Sequence, residues 1–191
     1  MSLLVVYPHA NPAQPEVIGD FTALAARLDA IGVQFERWTA GASLPANADQ
    51  NTVLTAYQAP VEQLKNQYGF QSADVISVAP DHPDRAALRQ KFLSEHTHSD
   101  FEVRFFVGGR GLFFLHPDET VYAVLCEQGD LISVPANVKH WFDMGAAPQL
   151  KCIRLFTTPE GWVAEYTGSD IAERFPKLEQ FMGDHKAGTG L

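Results

Sequence analysis

Four side chains in two separated stretches carry most of the chemistry this chain can offer. His96, His98 and Glu102 lie in the run Glu95-His96-Thr97-His98-Ser99-Asp100-Phe101-Glu102-Val103-Arg104, and His140 lies downstream. Three imidazoles and one carboxylate form a donor set suited to a redox-active first-row transition metal. Four protein ligands would leave about two coordination positions open on an octahedral ion, enough for a substrate that chelates through two oxygens.

The spacing constrains the chain that must position them. On an extended strand His96 and His98 leave the same face, so one ion can meet both rings. Four further residues of straight strand cover roughly 13 Å, whereas metal–ligand bonds are only about 2 Å. The backbone must therefore bend before Glu102, and Ser99-Asp100 is suitable turn chemistry. After the bend Glu102 and Arg104 share one face, and Val103 and Phe105 share the other. Gly129-Asp130 and Pro135-Ala136-Asn137 bracket a short strand, and together these turns bring His140 back beside the first pair.

If Arg104 faces inward beside a carboxylate-bound cation, it is costly to bury unless it meets an anion, which could be a ligand or an ion-pair partner such as Glu102 or Glu95. Arg154, within the apolar run Cys152-Ile153-Arg154-Leu155-Phe156, raises the same question. Phe105, Trp141, Phe142 and Trp162 are candidate pocket walls, with core packing as the default role for each aromatic. His9, His82, His116 and His185 lack comparable neighbours in the sequence and are read as structural or surface residues. Cys126 and Cys152 sit in apolar strand-like runs and are expected to be buried, reduced thiols rather than metal ligands.

The 191 residues fit one domain able to bury about 70% of its unfolded surface. With 46% hydrophobic residues, 19% charged residues and 13 Phe, disorder of the whole chain is not expected. A net charge of −9 argues against nucleic acid or an anionic membrane as the main partner. The apolar opening Met-Ser-Leu-Leu-Val-Val-Tyr lacks the basic residues of a signal peptide, and no stretch approaches the roughly 20 apolar residues that span a bilayer. The chain reads as a soluble cytoplasmic protein, and the lack of an unused apolar helix favours a monomer.

The first 92 residues are mixed. Val17, Phe21, Leu24, Leu28 and Ile31 predict a helix ending near Gly32, and Val33–Trp38 alternates as a strand. Ala48–Tyr68 reads as helix, with Pro60 in the first turn of its second half. Asp74–Val78 reads as a strand, and Pro83–Phe92 as a helix capped near Asp81 or His82. From Leu93 to about residue 160, short β-branched and aromatic runs alternate with turns: Phe101–Val107, Gly111–His116, Thr120–Cys126, Asp130–Val134, His140–Met144 and Lys151–Thr157. This texture predicts an antiparallel barrel or double-sheet jelly roll. Gly108-Gly109-Arg110-Gly111 is read as a hairpin turn between two such strands. Ser169–Met182 reads as short helix broken at Pro176, and Gly183–Leu191 as a frayed tail.

His96-x-His98-x3-Glu102-x6-Gly109 resembles the first cupin motif, and Gly129-x5-Pro135-x-Asn137-x2-His140 the second. Gln90, Asn137 and Met144 depart from the residues usual at their positions, although Asn tolerates positive φ. A narrower likeness joins Glu95–His98, Glu102–Phe105, Leu131–Pro135, His140–Met144, Arg154 and Pro159–Trp162. Together they resemble bacterial acireductone dioxygenases, and the resemblance implies a single domain over residues 1–191. This would be a mainly β cupin with peripheral α-helices, residues 1–92 forming an embellishment and 93–160 the metal-binding core. It further implies one Fe(II) or Ni(II) ion per chain held by His96, His98, Glu102 and His140. Arg104 and Arg154 would act on the anionic substrate, with Phe142 and Trp162 shaping its pocket. The implied reaction is cleavage of 1,2-dihydroxy-3-keto-5-methylthiopentene by O2 in methionine salvage. Its products would be 4-methylthio-2-oxobutanoate and formate with iron, or 3-methylthiopropionate, formate and carbon monoxide with nickel. Rival readings are another three-histidine, one-glutamate cupin enzyme, such as a sugar-phosphate isomerase or an oxalate-degrading enzyme, and a non-catalytic cupin that binds a small anion.

Overall fold

One strand organises the molecule. In the computed structural model, which describes residues 1–8, 13–45, 47–158 and 163–185, Glu102–His116 runs as 15 residues of continuous strand. In chain order it is β6, preceded by β1 (Leu3–Tyr7), β2 (Glu16–Ile18), β3 (Gln34–Arg37), β4 (Ser72–Val78) and β5 (His96–Thr97). It is followed by β7 (Val121–Glu127), β8 (Asp130–Val134), β9 (Lys139–Asp143), β10 (Leu150–Phe156) and β11 (Glu165–Tyr166). The first half of β6 pairs with β8 and β10, and through them with β3 and β4. Its second half pairs with β7 and β9, extending to β1 and β2 on one side and to β5 and β11 on the other. Two antiparallel sheets therefore face each other across a shared strand. The jelly-roll expectation holds in this open, double-sheet form, because the strand path does not return on itself.

The glycine run is not a hairpin turn, contrary to its sequence reading. It is the place where β6 passes from one sheet to the other. The register against β10 slips between Lys151 and Cys152, and the inward face changes parity across the slip. Phe106 faces the core between the sheets before it, whereas Phe113 and Leu115 face that core after it. One extra residue in a strand has this effect, because side chains alternate with period two. Gly109 takes φ 72°, and a Cβ there would lie 1.5 Å from the Gln149 carbonyl oxygen. A Cβ on Gly111 would lie 2.1 Å from Phe142 Cζ. The facing backbone leaves no room for a side chain at Gly109, and the Phe142 ring leaves none at Gly111.

The central strands β6, β7 and β8 are covered on both faces, which is why they are nearly all buried. Leu4, Phe106, Phe113, Val124, Ile132, Phe142 and both free cysteines fill the space between the sheets. Burial drives both thiols above their ordinary range, Cys152 to about 12, so they stay protonated. Outside one sheet, Val103, Phe105 and Leu155 meet Val53, Tyr57 and Leu64 of α2 (Gln50–Ala56) and α3 (Gln58–Tyr68). Outside the other, Phe114 and Trp141 stack at 4.8 Å under the C-terminal helix α5 (Leu178–Asp184).

The remaining helices are set by local chemistry. α1 (Phe21–Asp29) begins where Asp20 accepts from the Ala23 N–H at 2.9 Å, so Val17 belongs to β2 and not to the helix. Asp49 caps α2 in the same way. The break before α3 falls at Tyr57, which leaves Pro60 within a first turn that needs no N–H from it. α4 (Arg85–Leu93) starts after Asp84, later than read from Pro83. Near the C-terminus a 3-10 turn (Ile171–Arg174) and α5 flank Pro176 as expected, but α5 extends through Gly183 and Asp184, residues assigned from sequence to the tail. No helix among the described residues is long and apolar enough to cross a membrane.

Asp143, fully buried at the end of β9, ties three elements together. It accepts two hydrogen bonds from Arg89 of α4 at 2.7 and 2.9 Å, one from Gly145 N and one from Leu178 N of α5. Burial alone would raise its pKa, but these bonds and the Arg89 charge outweigh it and hold the carboxyl below its ordinary value. A carboxylate with a depressed folded pKa contributes stability that is complete above the unfolded value and is lost as pH falls through the folded one. Urea denaturation should therefore show Asp143→Asn less stable by about 3 kcal/mol at pH 7. The gap from wild type should narrow once pH drops below about 4; a gap unchanged down to pH 3 would rule the account out. At the strand crossing, Gly109→Ala should cost more than Gly111→Ala, for which overpacking predicts about 1–3 kcal/mol, because a ring can shift where a paired backbone cannot. Chemical denaturation of the two variants would show the order.

Candidate metal centre

The two ligand stretches meet through backbone pairing. α4 leads through Ser94 and Glu95 into β5, whose His96 pairs directly with His140 at the start of β9. The chain bends at Ser99-Asp100 before β6 begins at Glu102, as the spacing required. Asn137 fixes the other approach: at φ 63° it occupies the left-handed region, and its N–H donates to the His98 carbonyl at 2.8 Å. The sequence thus places an Asn, tolerant of that conformation, at the turn that docks one ligand stretch on the other.

The three imidazoles converge. Ring centroids lie 5.0 Å apart for His96–His98, 4.4 Å for His96–His140 and 5.0 Å for His98–His140. One ring nitrogen from each lies within 4.8 Å of the other two. Glu102 Oε2 sits 3.1 Å from His98 Nε2 and 3.3 Å from His140 Nε2. All four residues are buried. Atoms bound about 2 Å from one ion lie roughly 3 Å apart when adjacent and roughly 4 Å apart when opposite. The two Glu102 Oε2 distances fall in the adjacent range, and the three imidazoles are grouped closely enough that they could share one ion.

Hydrogen bonding decides what these atoms can do. His96 Nδ1 meets the Ser94 carbonyl at 2.7 Å, His140 Nδ1 the Val138 carbonyl at 2.7 Å, and His98 Nδ1 the Val163 carbonyl at 3.1 Å. A carbonyl only accepts, so each Nδ1 carries the proton and each Nε2 presents a lone pair. Burial, followed by the neighbouring His140 ring, pushes His96 down to about 4, so it is neutral near pH 7. Burial alone would raise Glu102, but the Arg104 guanidinium, foremost among its neighbours, holds its carboxyl well below the usual range. With neutral imidazoles, acceptors face acceptors, and among the described residues neither Glu102 Oε2 nor His140 Nε2 has a hydrogen-bond partner. Buried polar atoms so arranged imply a cation between them. A six-coordinate divalent first-row metal fits this neutral-imidazole and carboxylate set.

Arg104 donates its Nε–H to Glu102 Oε1 and lies 5.3 Å from the Phe113 ring centroid and 5.2 Å from that of Phe142. Of the partners open to Arg104 in the sequence, Glu102 is the one the fold supplies. Phe142 is buried in the inter-sheet core beneath this cation, touching Phe113 at 5.3 Å. Arg154 is opposite Arg104 in the strand register but is gripped by Asp74 of β4, with Nε–Oδ1 at 2.8 Å and Nη2–Oδ2 at 2.5 Å. Of the other proposed walls, Phe105 points away from the site to pack under α2 and α3, and Trp141 packs outside the opposite sheet. Trp162 and His9 lie outside the described residues.

His116 has a structural role, and a more specific one than its sequence reading gave. Its Nδ1 donates to Glu95 Oε1 at 2.7 Å, a bond to the buried residue directly before His96. Sequence distance hid it, because Leu115 pairs with His140 and His116 follows on the same strand. The Val163 carbonyl behind His98 was also missed. As a main-chain atom on an exposed residue it leaves no signal in residue type.

With this geometry in hand, the comparisons are unambiguous. The model of the ARD/ARD' family matches residues 7–164. The acireductone dioxygenase of Methylococcus capsulatus is 64% identical over 182 residues, covering 95% of this chain and 98% of that protein. Its Aquifex aeolicus counterpart is 58% identical over 185 residues, covering 95% and 99%. A solved acireductone dioxygenase from Bacillus anthracis, with a cadmium ion in its active centre, matches at a TM-score of 0.76 and 31% identity, covering 87% of this chain and 98% of that one. Sequence and fold agree along almost the whole length, and this chain belongs to the ARD/ARD' family.

Proposed function

We propose that the protein is a metal-dependent acireductone dioxygenase cleaving 1,2-dihydroxy-3-keto-5-methylthiopentene with O2 in methionine salvage. The observation that carries this reading is the convergence of three buried imidazoles, with Glu102 Oε2 within 3.1 Å of His98 Nε2 and 3.3 Å of His140 Nε2, an arrangement that one bound cation would satisfy. The named relatives support it, as does the cadmium ion in the Bacillus anthracis structure. His96, His98, Glu102 and His140 would hold one Fe(II) or Ni(II) ion. When bound, the ion supplies Lewis acidity toward a chelating enediolate and redox access to O2. The same reading makes the protein a soluble, cytoplasmic, monomeric enzyme.

The rest of the chemistry falls to the chain's own side chains. The carbonyl contacts behind the imidazoles fix their tautomer and orientation, so the rings cannot turn to trade protons with substrate. The Arg104 guanidinium would disperse the negative charge of an ionised enediol through its N–H groups. Phe113 and Phe142 hold that guanidinium against their faces and keep water from beneath it. Asp74 presets the plane of Arg154 and cancels much of its charge, so Arg154 would orient the substrate more than stabilise it. Trp162 is the second aromatic assigned to the substrate pocket.

Two experiments test the assignment. Chelator-stripped protein, reloaded separately with Fe(II) and Ni(II), should consume O2 only with acireductone present. The iron form should yield 4-methylthio-2-oxobutanoate and formate, and the nickel form 3-methylthiopropionate, formate and carbon monoxide. If neither form takes up oxygen, the assignment is wrong. Arg104→Met should reduce kcat by roughly a hundredfold, the usual cost of losing one charge-stabilising donor. Turnover within threefold of wild type would remove Arg104 from the reaction.

A further inference from the structure

The three histidines are not anchored alike. The acceptors behind His96 and His140 lie two residues upstream on the same ligand stretch, at Ser94 and Val138. The acceptor behind His98 is Val163, 65 positions away, and the contact is the longest of the three at 3.1 Å. The orientation of His98 thus depends on a returning segment, residues 163–167, staying against the ligand strand.

Little apolar burial holds that segment. Val163 is 74% exposed and Tyr166 is 50% exposed, and β11 is only two residues long. Its two register pairs are Glu165 with Thr97 and Tyr166 with His96. Next along, Thr167 makes a double contact with Glu95. Its N–H donates to the Glu95 carbonyl at 3.0 Å, and its hydroxyl donates to Glu95 Oε2 at 2.7 Å. The other carboxylate oxygen of Glu95 accepts from His116 at 2.7 Å, which fixes the carboxylate to β6. Glu95 is 3% exposed, so its carboxylate is held out of water while Thr167 approaches it from the surface, and neither oxygen is left to desolvation alone. The mechanism sketched above uses none of these three side chains.

We infer that Thr167 and Glu95 are positioning residues for the metal, clamping segment 163–167 so that the Val163 carbonyl aims the His98 imidazole. The inference rests on the metal-site reading. Loss of the Thr167 hydroxyl frees the segment, lets the His98 ring rotate and weakens ion binding, while the solvent-exposed position of Thr167 leaves the folded core intact. His96 and His140 keep their anchors, so affinity falls without vanishing.

Metal-stripped wild type, Thr167→Val and Thr167→Ser are titrated anaerobically with Fe(II) or Ni(II) against a chromophoric chelator. Amide exchange across residues 163–167 and thermal unfolding are followed on the same samples. Thr167→Val raises the metal Kd about tenfold, the scale of an outer-shell contact, and speeds exchange in the segment. Thr167→Ser restores both to within about twofold of wild type, and the metal-free melting temperature is the same in all three. Wild-type affinity in Thr167→Val overturns the inference, as does equal weakening in the Val and Ser variants or a shared drop in metal-free stability. If wild type itself shows no affinity, the metal reading falls first, a result distinct from any difference among the variants.

Discussion

The structure turns on one electrostatic conflict. Glu102 is ionised and almost fully buried, and each of its carboxylate oxygens has a different fate. Oε1 receives Arg104, while Oε2 faces the lone pairs of His98 and His140. An isolated buried carboxylate would simply take up a proton. Arg104 prevents that by cancelling the charge on one side, and so preserves an anion on the other side for a second cation. The imidazoles commit their Nδ1 protons to backbone carbonyls, which leaves Nε2 as the candidate ligand atom of each ring. Among the described residues the fold thus provides no hydrogen-bond partner for Glu102 Oε2 or His140 Nε2.

Strand β6 makes this possible by serving two sheets. Its start carries Glu102 and Arg104 beside β8 and β10; its end reaches Leu115, the register partner of His140 on β9. A straight strand of that length would place inward residues of one parity throughout. The slip near Gly109 lets Arg104 and Phe113 both face inward, so cation and ring can stack. The glycine run is therefore indispensable to the site without touching any ligand.

This explains what the sequence disclosed. The convergence of the three histidines, the bend at Ser99-Asp100 and the turn before His140 were legible because metal-bond lengths and side-chain alternation leave few alternatives. Most strands were legible from alternating runs, and the buried thiols from their apolar surroundings. The glycine crossing was not, since a bulge and a hairpin draw on the same residues, and only the partner strand, here Gln149, distinguishes them. The starts of α1 and α4 shifted for a related reason: periodicity locates the apolar face, whereas capping by Asp20 or a turn before Asp84 decides where hydrogen bonding begins. β5 and β11 are two-residue strands with no pattern long enough to read. The Glu95–His116 pair joins residues that only the return of β6 beside β9 brings close.

A charge count connects the scaffold to its substrate class. Arg104 and Arg154 are register partners on one face, an arrangement that repels unless each charge is met separately. Glu102 meets the first and Asp74 the second. The two arginines and their two carboxylates therefore sum to zero before any ion enters. A divalent cation then brings two uncancelled positive charges into a buried space, where water screens them poorly. A neutral ligand would leave that excess in place, but an enediolate relieves it directly through two oxygens. On this balance, selection of an anionic chelator follows from pairing each arginine with its own carboxylate. Removing Asp74 would add a third positive charge at the rim and draw anions there, in competition with the open positions on the ion.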